Sequence, residues 1–241
     1  MTLRVAGVRR ATPGTRIVHL ALDRQPFEFL AGQAVLIGAR SAGPGPPDAP
    51  GQDQTRPYSI ASSPEETRRT GLLEFLMKVD DSGDPGPHLR GLARGLEVDV
   101  VGPFGTFFFP TAARERRFLF IAGGTGIAPL RSMLVHALES RVPGEFAVAY
   151  SARTPSDFAY RDELRRLARA GRIRLELMVT REAPPRWRGH RGRVGQPRLT
   201  PLVTDPATLC FICGPPPMLV EVPPILTALG VPSDRILMET W

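Results

Sequence analysis

The sequence predicts two domains of different class, an antiparallel β-barrel followed by a doubly wound α/β sheet, and three observations carry that division. Before Pro110 the apolar segments are short, split by turn residues and in places alternate with polar ones, the pattern of a barrel or sandwich. After it, continuous apolar runs of strand length alternate with helix-length stretches, the pattern of a parallel sheet. A glycine-rich turn, Gly123-Gly124-Thr125-Gly126, follows the first of those runs and opens a helix. The boundary falls in Pro110-Thr111-Ala112-Ala113-Arg114-Glu115-Arg116, giving domains 1–112 and 113–241.

In the first domain, Arg16-Ile17-Val18-His19-Leu20, Ala34-Val35-Leu36-Ile37, Leu73-Glu74-Phe75-Leu76-Met77-Lys78-Val79 and Glu97-Val98-Asp99-Val100-Val101 read as strands. Residues 41–55 are rich in Pro and Gly with almost no apolar content, so they read as a long exposed loop, a passive insertion rather than a partner surface. In the second domain, strands are expected at 118–122, 146–150, 173–179 and 208–213, with helices at 128–140 and 160–170.

Hydrophobic residues make up 42% of the chain, enough for a real core. No apolar run approaches the ~20 residues of a membrane helix. The start, Met1-Thr2-Leu3-Arg4-Val5, lacks a signal core, so a cytoplasmic, non-membrane protein is expected. Cys210 and Cys213 have Cys-x-x-Cys spacing, but in a strand residues three apart face opposite sides, which argues against a redox pair. Two cysteines also fall short of the about four ligands an iron–sulfur cluster takes, and no metal site is expected. The net charge is +7, with Lys78 the single lysine. Arginine-rich codon usage accounts for that; alternatively a basic face steers an acidic partner. No nucleic-acid motif accompanies the charge.

Four short segments carry chemistry. In Arg56-Pro57-Tyr58-Ser59, the guanidinium fork suits a pyrophosphate, the phenol ring offers a flat face, and the hydroxyl can exchange a hydrogen bond with a ring nitrogen. Gly123-Gly124-Thr125-Gly126-Ile127-Ala128-Pro129 sits where a phosphate-binding turn belongs. Cys213-Gly214-Pro215-Pro216-Pro217-Met218 ends a later strand, at the edge where ligands gather. The fourth is Glu239-Thr240-Trp241. In this order the four resemble the ferredoxin–NADP reductase superfamily over nearly the whole chain. Phe29-Leu30-Ala31-Gly32-Gln33 and Gly102-Pro103-Phe104-Gly105 resemble further turns of its barrel.

That resemblance implies an NAD(P)H-dependent flavoprotein oxidoreductase. Hydride would pass from NAD(P)H to FAD, and single electrons would pass on to a separate acceptor, an acidic redox protein such as ferredoxin or flavodoxin. Arg56, Pro57, Tyr58, Ser59, Met77, Lys78, Val79 and Gly86 are assigned to the flavin. Gly86 stands where the family places a hydroxyl residue for the flavin phosphates, which leaves FMN open as the alternative to FAD. His88, beside it, reads as partly exposed surface. Gly123, Gly124, Thr125, Gly126, Arg153, Arg161, Cys213, Gly214 and Pro215 are assigned to the nicotinamide nucleotide, with NADH and NADPH both open. Ser59, Cys213, Glu239 and Trp241 form the expected catalytic set: Cys213 positions the nicotinamide, Glu239 positions it or relays a proton, and Trp241 covers the flavin face until hydride transfer. Two alternatives remain: a reductase of a cytochrome or oxygenase, and an electron-transfer subunit of a larger complex.

Overall fold

The computed structural model describes residues 1–40, 55–182 and 184–239. Strands β1 (Thr2–Thr12), β2 (Thr15–Ala21), β3 (Ala34–Ala39), β4 (Arg56–Ser59), β5 (Leu72–Lys78) and β6 (Glu97–Phe104) form one antiparallel sheet in the order β4-β3-β6-β1-β2-β5. A bridge between Ile60 and Phe75 joins its two ends, and the Ala61 N–H donates to the Glu74 carbonyl at 2.7 Å. The sheet thus curls into a barrel and leaves no open edge there. Its interior is apolar, with Val18, Val35, Ile37, Ile60, Leu73 and Phe75 fully buried.

Between β4 and β5 lies helix α1 (Pro64–Thr70), which the sequence pattern does not announce. Local chemistry explains it. Ser63 accepts from the Glu66 N–H while the Glu66 carboxylate accepts from the Ser63 N–H, and Pro64 takes the first helical position. Gly71, at φ 69°, ends the helix with its N–H on the Thr67 carbonyl.

The second sheet is parallel throughout. It comprises β7 (Arg117–Gly123), β8 (Glu145–Ala152), β9 (Arg174–Val179), β10 (His190–Arg191), β11 (Leu209–Cys213) and β12 (Ile236–Glu239), ordered β10-β9-β8-β7-β11-β12. Helices α2 (Ile127–Glu139), α3 (Arg161–Arg169), α4 (Gln196–Leu199) and α5 (Pro216–Ala228) connect these strands. Strand β7 is buried on both faces: Phe118 and Phe120 pack toward the barrel side, Leu119 and Ile121 toward the opposite core. The same alternation along β11 sends Cys210 to one core and Cys213 to the other, and both thiols are free. The chain builds outward from β7 to β10 and then returns to place β11 against β7's other side. That reversal opens a crevice at the carboxyl ends of β7 and β11, the preferred ligand position of such sheets.

Barrel and sheet share a core in which Ile17, Leu76, Phe107 and Phe109 pack with Phe118, Met133 and Phe211. No helix among the described residues is long and apolar enough to cross a membrane.

Candidate active site

A cavity of about 820 Å³ lies between barrel and sheet. Ser59 reaches it as the last residue of β4, paired with Ala34 of β3. Cys213 reaches it at the end of β11, and the parallel register places Glu239 of β12 directly beside it. The three predicted residues meet. The Ser59 hydroxyl donates to a Glu239 carboxylate oxygen at 3.3 Å, and the Cys213 thiol donates to the same oxygen at 3.8 Å. Glu239 is 8% exposed, a carboxylate taken almost fully out of water at the seam of the two sheets. Burial, and then the Glu239 charge, push the Cys213 thiol well above the ordinary thiol value, so it stays protonated. Trp241 lies outside the described residues.

The glycine turn does two jobs. A Cβ on Gly123 would stand 2.5 Å from the Pro215 ring, and one on Gly126 would strike the Cys213 carbonyl, so these glycines let the turns after β7 and β11 touch. Gly214 approaches the Gly123 backbone from the other side. Gly124 differs: its φ is +56°, and the space a Cβ would enter is open. Its carbonyl accepts from the buried Tyr150 hydroxyl at 2.9 Å, which pins the turn. Gly124 is thus the position where a ligand can approach the backbone, and Thr125 lines the same wall.

Arg153 lines the cavity at the end of β8. Arg161 does not: its guanidinium donates to the Pro155 carbonyl at 2.9 Å, at the start of α3. Arg181 and Arg193 line it instead. Arg181 comes beside Arg153 because β8 and β9 run parallel, with the Arg181 N–H on the Arg153 carbonyl. Arg193 is held by Glu221 at 2.6 Å.

On the barrel side a second hollow of about 530 Å³ is lined by Arg56, Pro57, Tyr58, Lys78, Gly86 and His88. Alternation along β5 puts Leu76 and Lys78 on the cavity side, while Met77 turns into the barrel core and offers a ligand only its backbone. Val79 is likewise buried. His88 corrects the surface reading: it is 5% exposed, stacks on Tyr58 with ring centroids 5.9 Å apart, and its Nε2 lies 2.7 Å from the Tyr58 hydroxyl. Burial, reinforced by Arg56, keeps the imidazole neutral, and burial pushes the Tyr58 phenol up to about 12. Gly86, at φ +128°, lies under the His88 ring, with 3.4 Å from its Cβ position to Nδ1. The sequence expectation for residues 41–54 lies outside the described residues.

These features fit two dinucleotides. An aromatic face beside cations on the barrel, and an open glycine position at the switch point of the sheet, meet at one seam. Comparison with known proteins agrees. Residues 2–109 match the family model of the oxidoreductase FAD-binding domain, and residues 120–222 match that of the oxidoreductase NAD-binding domain. The chain is 34% identical to ferredoxin–NADP reductase B of Sorangium cellulosum over 99% of its length and 96% of that protein's. It is 29% identical to NADH-cytochrome b5 reductase 1 of Pyricularia oryzae, over 85% of this chain and 65% of the other. Among solved structures, the ferredoxin reductase in carbazole 1,9a-dioxygenase superposes with a TM-score of 0.79 at 28% identity, covering 100% of this chain and 68% of that one.

Proposed function

From the premise that the chain belongs to the ferredoxin–NADP reductase superfamily, we propose that it delivers electrons to an acidic one-electron carrier, a ferredoxin or a flavodoxin. The protein is an NAD(P)H-dependent flavoprotein oxidoreductase that binds FAD. When bound, the flavin takes hydride from a dihydronicotinamide and releases electrons one at a time. The chain's own residues orient the reactants and handle the proton.

The observation that carries the site assignment is the meeting of Ser59, Cys213 and Glu239 across the seam between barrel and sheet. In this proposal residues 1–112 hold the flavin, with Arg56 on its phosphates, Tyr58 against its ring and His88 fixing the tyrosine. Residues 113–241 hold the nucleotide, with Gly124 and Thr125 on the pyrophosphate and Arg153, Arg181 and Arg193 toward the adenosine end. Cys213 gives the nicotinamide an uncharged surface, since its thiol is protonated. Ser59 and Glu239 supply a hydroxyl and a carboxylate that share a proton-bearing contact beside the reacting rings.

The net charge of +7 supports an acidic carrier. The cytochrome or oxygenase alternative is favoured by the Cys213-Gly214-Pro215-Pro216-Pro217-Met218 string, which resembles NADH-dependent cytochrome reductases, and by the 29% identity to a cytochrome b5 reductase. Steady-state reduction of an acidic [2Fe–2S] ferredoxin, a flavodoxin and cytochrome b5, at low and at high salt, separates these readings. The proposal expects faster turnover with the ferredoxin or flavodoxin and a loss of about tenfold on adding salt. Salt-independent preference for the cytochrome would overturn it.

A further inference from the structure

Ser59 belongs to the barrel, whereas Cys213 and Glu239 belong to the parallel sheet. The chain passes between the two sheets once, between β6 and β7, at a distance in sequence from all three residues. Something else must fix the hydroxyl relative to the thiol and the carboxylate. We propose that Arg131, with Ser132 beside it, is the positioning residue of this site: from α2 the pair grips the segment that leaves Ser59 and so sets where that hydroxyl stands. The inference rests on the reductase reading above for its kinetic consequence, and on geometry for the rest.

Helix α2 starts directly after Gly126, so its first turns are rigidly tied to the glycine turn at the nucleotide end of the cavity. Arg131 is 7% exposed, and all five N–H donors of its guanidinium are used. Nη1 donates to the Ala61 carbonyl at 2.8 Å. Nη1 and Nη2 donate to the two oxygens of Glu66 at 2.9 Å each, and Nε and Nη2 donate to those of Glu163 at 2.8 Å each. Ser132 donates its hydroxyl to the Ser62 carbonyl at 2.7 Å. Ala61 and Ser62 are the second and third residues after Ser59, so two successive carbonyls of the chain leaving the site are held from the opposite domain. The Ala61 N–H is held as well, by the Glu74 carbonyl of β5.

The network extends outward without leaving a carboxylate alone. Tyr160 lies under the Arg131 guanidinium, 4.9 Å from ring centre to Cζ, and donates its hydroxyl to Glu74 at 2.9 Å. His19 meets the other Glu74 oxygen at 2.7 Å. Glu66 belongs to α1, Glu74 to β5, His19 to β2, and Glu163 and Tyr160 to α3 and its start. One planar fork therefore fixes barrel, α2 and α3 together, an arrangement that a lysine ammonium cannot reproduce. A buried ion network is weak as cement, because apolar packing of equal volume often stabilises as well. What the fork supplies is orientation, and hydride transfer depends on placement at the scale of an ångström.

The test uses FAD-loaded wild type, Arg131→Met, Arg131→Lys and Ser132→Ala. Flavin content, nucleotide dissociation constant, the limiting rate of flavin reduction at saturating nucleotide, and amide exchange at Ile60 and Ala61 are measured on each. The expected result is a limiting rate lowered about ten- to a hundredfold in Arg131→Met, with partial recovery in Arg131→Lys. Flavin content and nucleotide affinity stay at the wild-type level, and exchange at Ile60 and Ala61 quickens. A wild-type limiting rate in Arg131→Met, or a fall that only tracks lost flavin with Ile60 and Ala61 exchange unchanged, would overturn the inference. If Arg131→Met does not fold, Ser132→Ala decides: unchanged rate and unchanged exchange would refute it. Should neither nucleotide reduce wild-type flavin, the reductase reading fails, and exchange in the variants still decides whether Arg131 and Ser132 fix the segment.

Discussion

The Cys213 thiol is 3% exposed and faces the Glu239 carboxylate, and both facts disfavour its thiolate. Burial alone raises Cys210 to about 12. Neither cysteine should therefore react with iodoacetamide in the native protein near pH 8, and mass spectrometry should find adducts only after unfolding. In the proposed site Cys213 would therefore act by shape, and the hydroxyl of Ser59 by donation. Ser59→Ala should slow flavin reduction about 10–100-fold at unchanged melting temperature, as loss of one positioned donor does. The predicted residues that meet here were legible through the family resemblance of the motifs that carry them, and for Cys213 also through its place at the end of a sheet strand. Arg181 and His88 were not. Arg181 gains its place from the β8–β9 register, 28 residues from Arg153, and His88 is buried by Tyr58 from a different part of the barrel. Neither neighbour is local in sequence, so no spacing rule points to them.

At the scale of elements, chemistry at the ends outweighs pattern in the middle. Helix α1 buries only Thr67, so it rests on the Ser63–Glu66 capping box, on Gly71 and on the anchoring of Glu66 by Arg131. Ser63→Ala should cost about 1 kcal/mol in chemical denaturation. Helix α5 escapes sequence analysis for the opposite reason: its apolar stretch is punctuated by Pro216, Pro217, Pro223 and Pro224. The first two occupy starting positions that need no N–H, whereas the last two remove interior bonds. Pro224 is exposed, and Pro224→Ala should raise stability by about 1–2 kcal/mol, the restored bond outweighing the looser unfolded chain. Strand β1 is hidden by a register shift between Val5 and Gly7, which breaks the period of two that a strand shows in sequence. Continuous runs such as Phe118-Leu119-Phe120-Ile121-Ala122 needed no such help, because burial on both faces leaves no period to break.

The molecule as a whole is two sheets joined by an apolar core and an ionic network, and the network makes the junction sensitive to acid. Burial raises the Glu74 carboxyl, but the hydrogen bond from His19, the Arg131 charge and Tyr160 outweigh it and hold it below its ordinary 4.5. A carboxyl depressed in the folded state contributes stability that is present above the unfolded value and is lost as pH falls through the folded one. Stability should thus drop on acidification below about pH 4.5, and Glu74→Gln should be less stable at neutral pH with a shallower acid limb, measured by denaturation at a series of pH values. The partition into barrel and parallel sheet was visible in sequence, since it follows from local patterning. The junction was not, since Arg131 draws its carboxylates from positions 66, 74 and 163.

In the proposed mechanism Ser59, Cys213 and Glu239 mark the place where a dihydronicotinamide reduces the bound flavin. Anaerobic stopped-flow mixing of the FAD-loaded protein with NADPH, and separately with NADH, tests it most directly. Rapid loss of flavin absorbance with at least one nucleotide, slowed in Ser59→Ala and in Glu239→Gln, is the predicted result. Flavin that dithionite reduces but neither nucleotide does, or reduction at the wild-type rate in both variants, would contradict it.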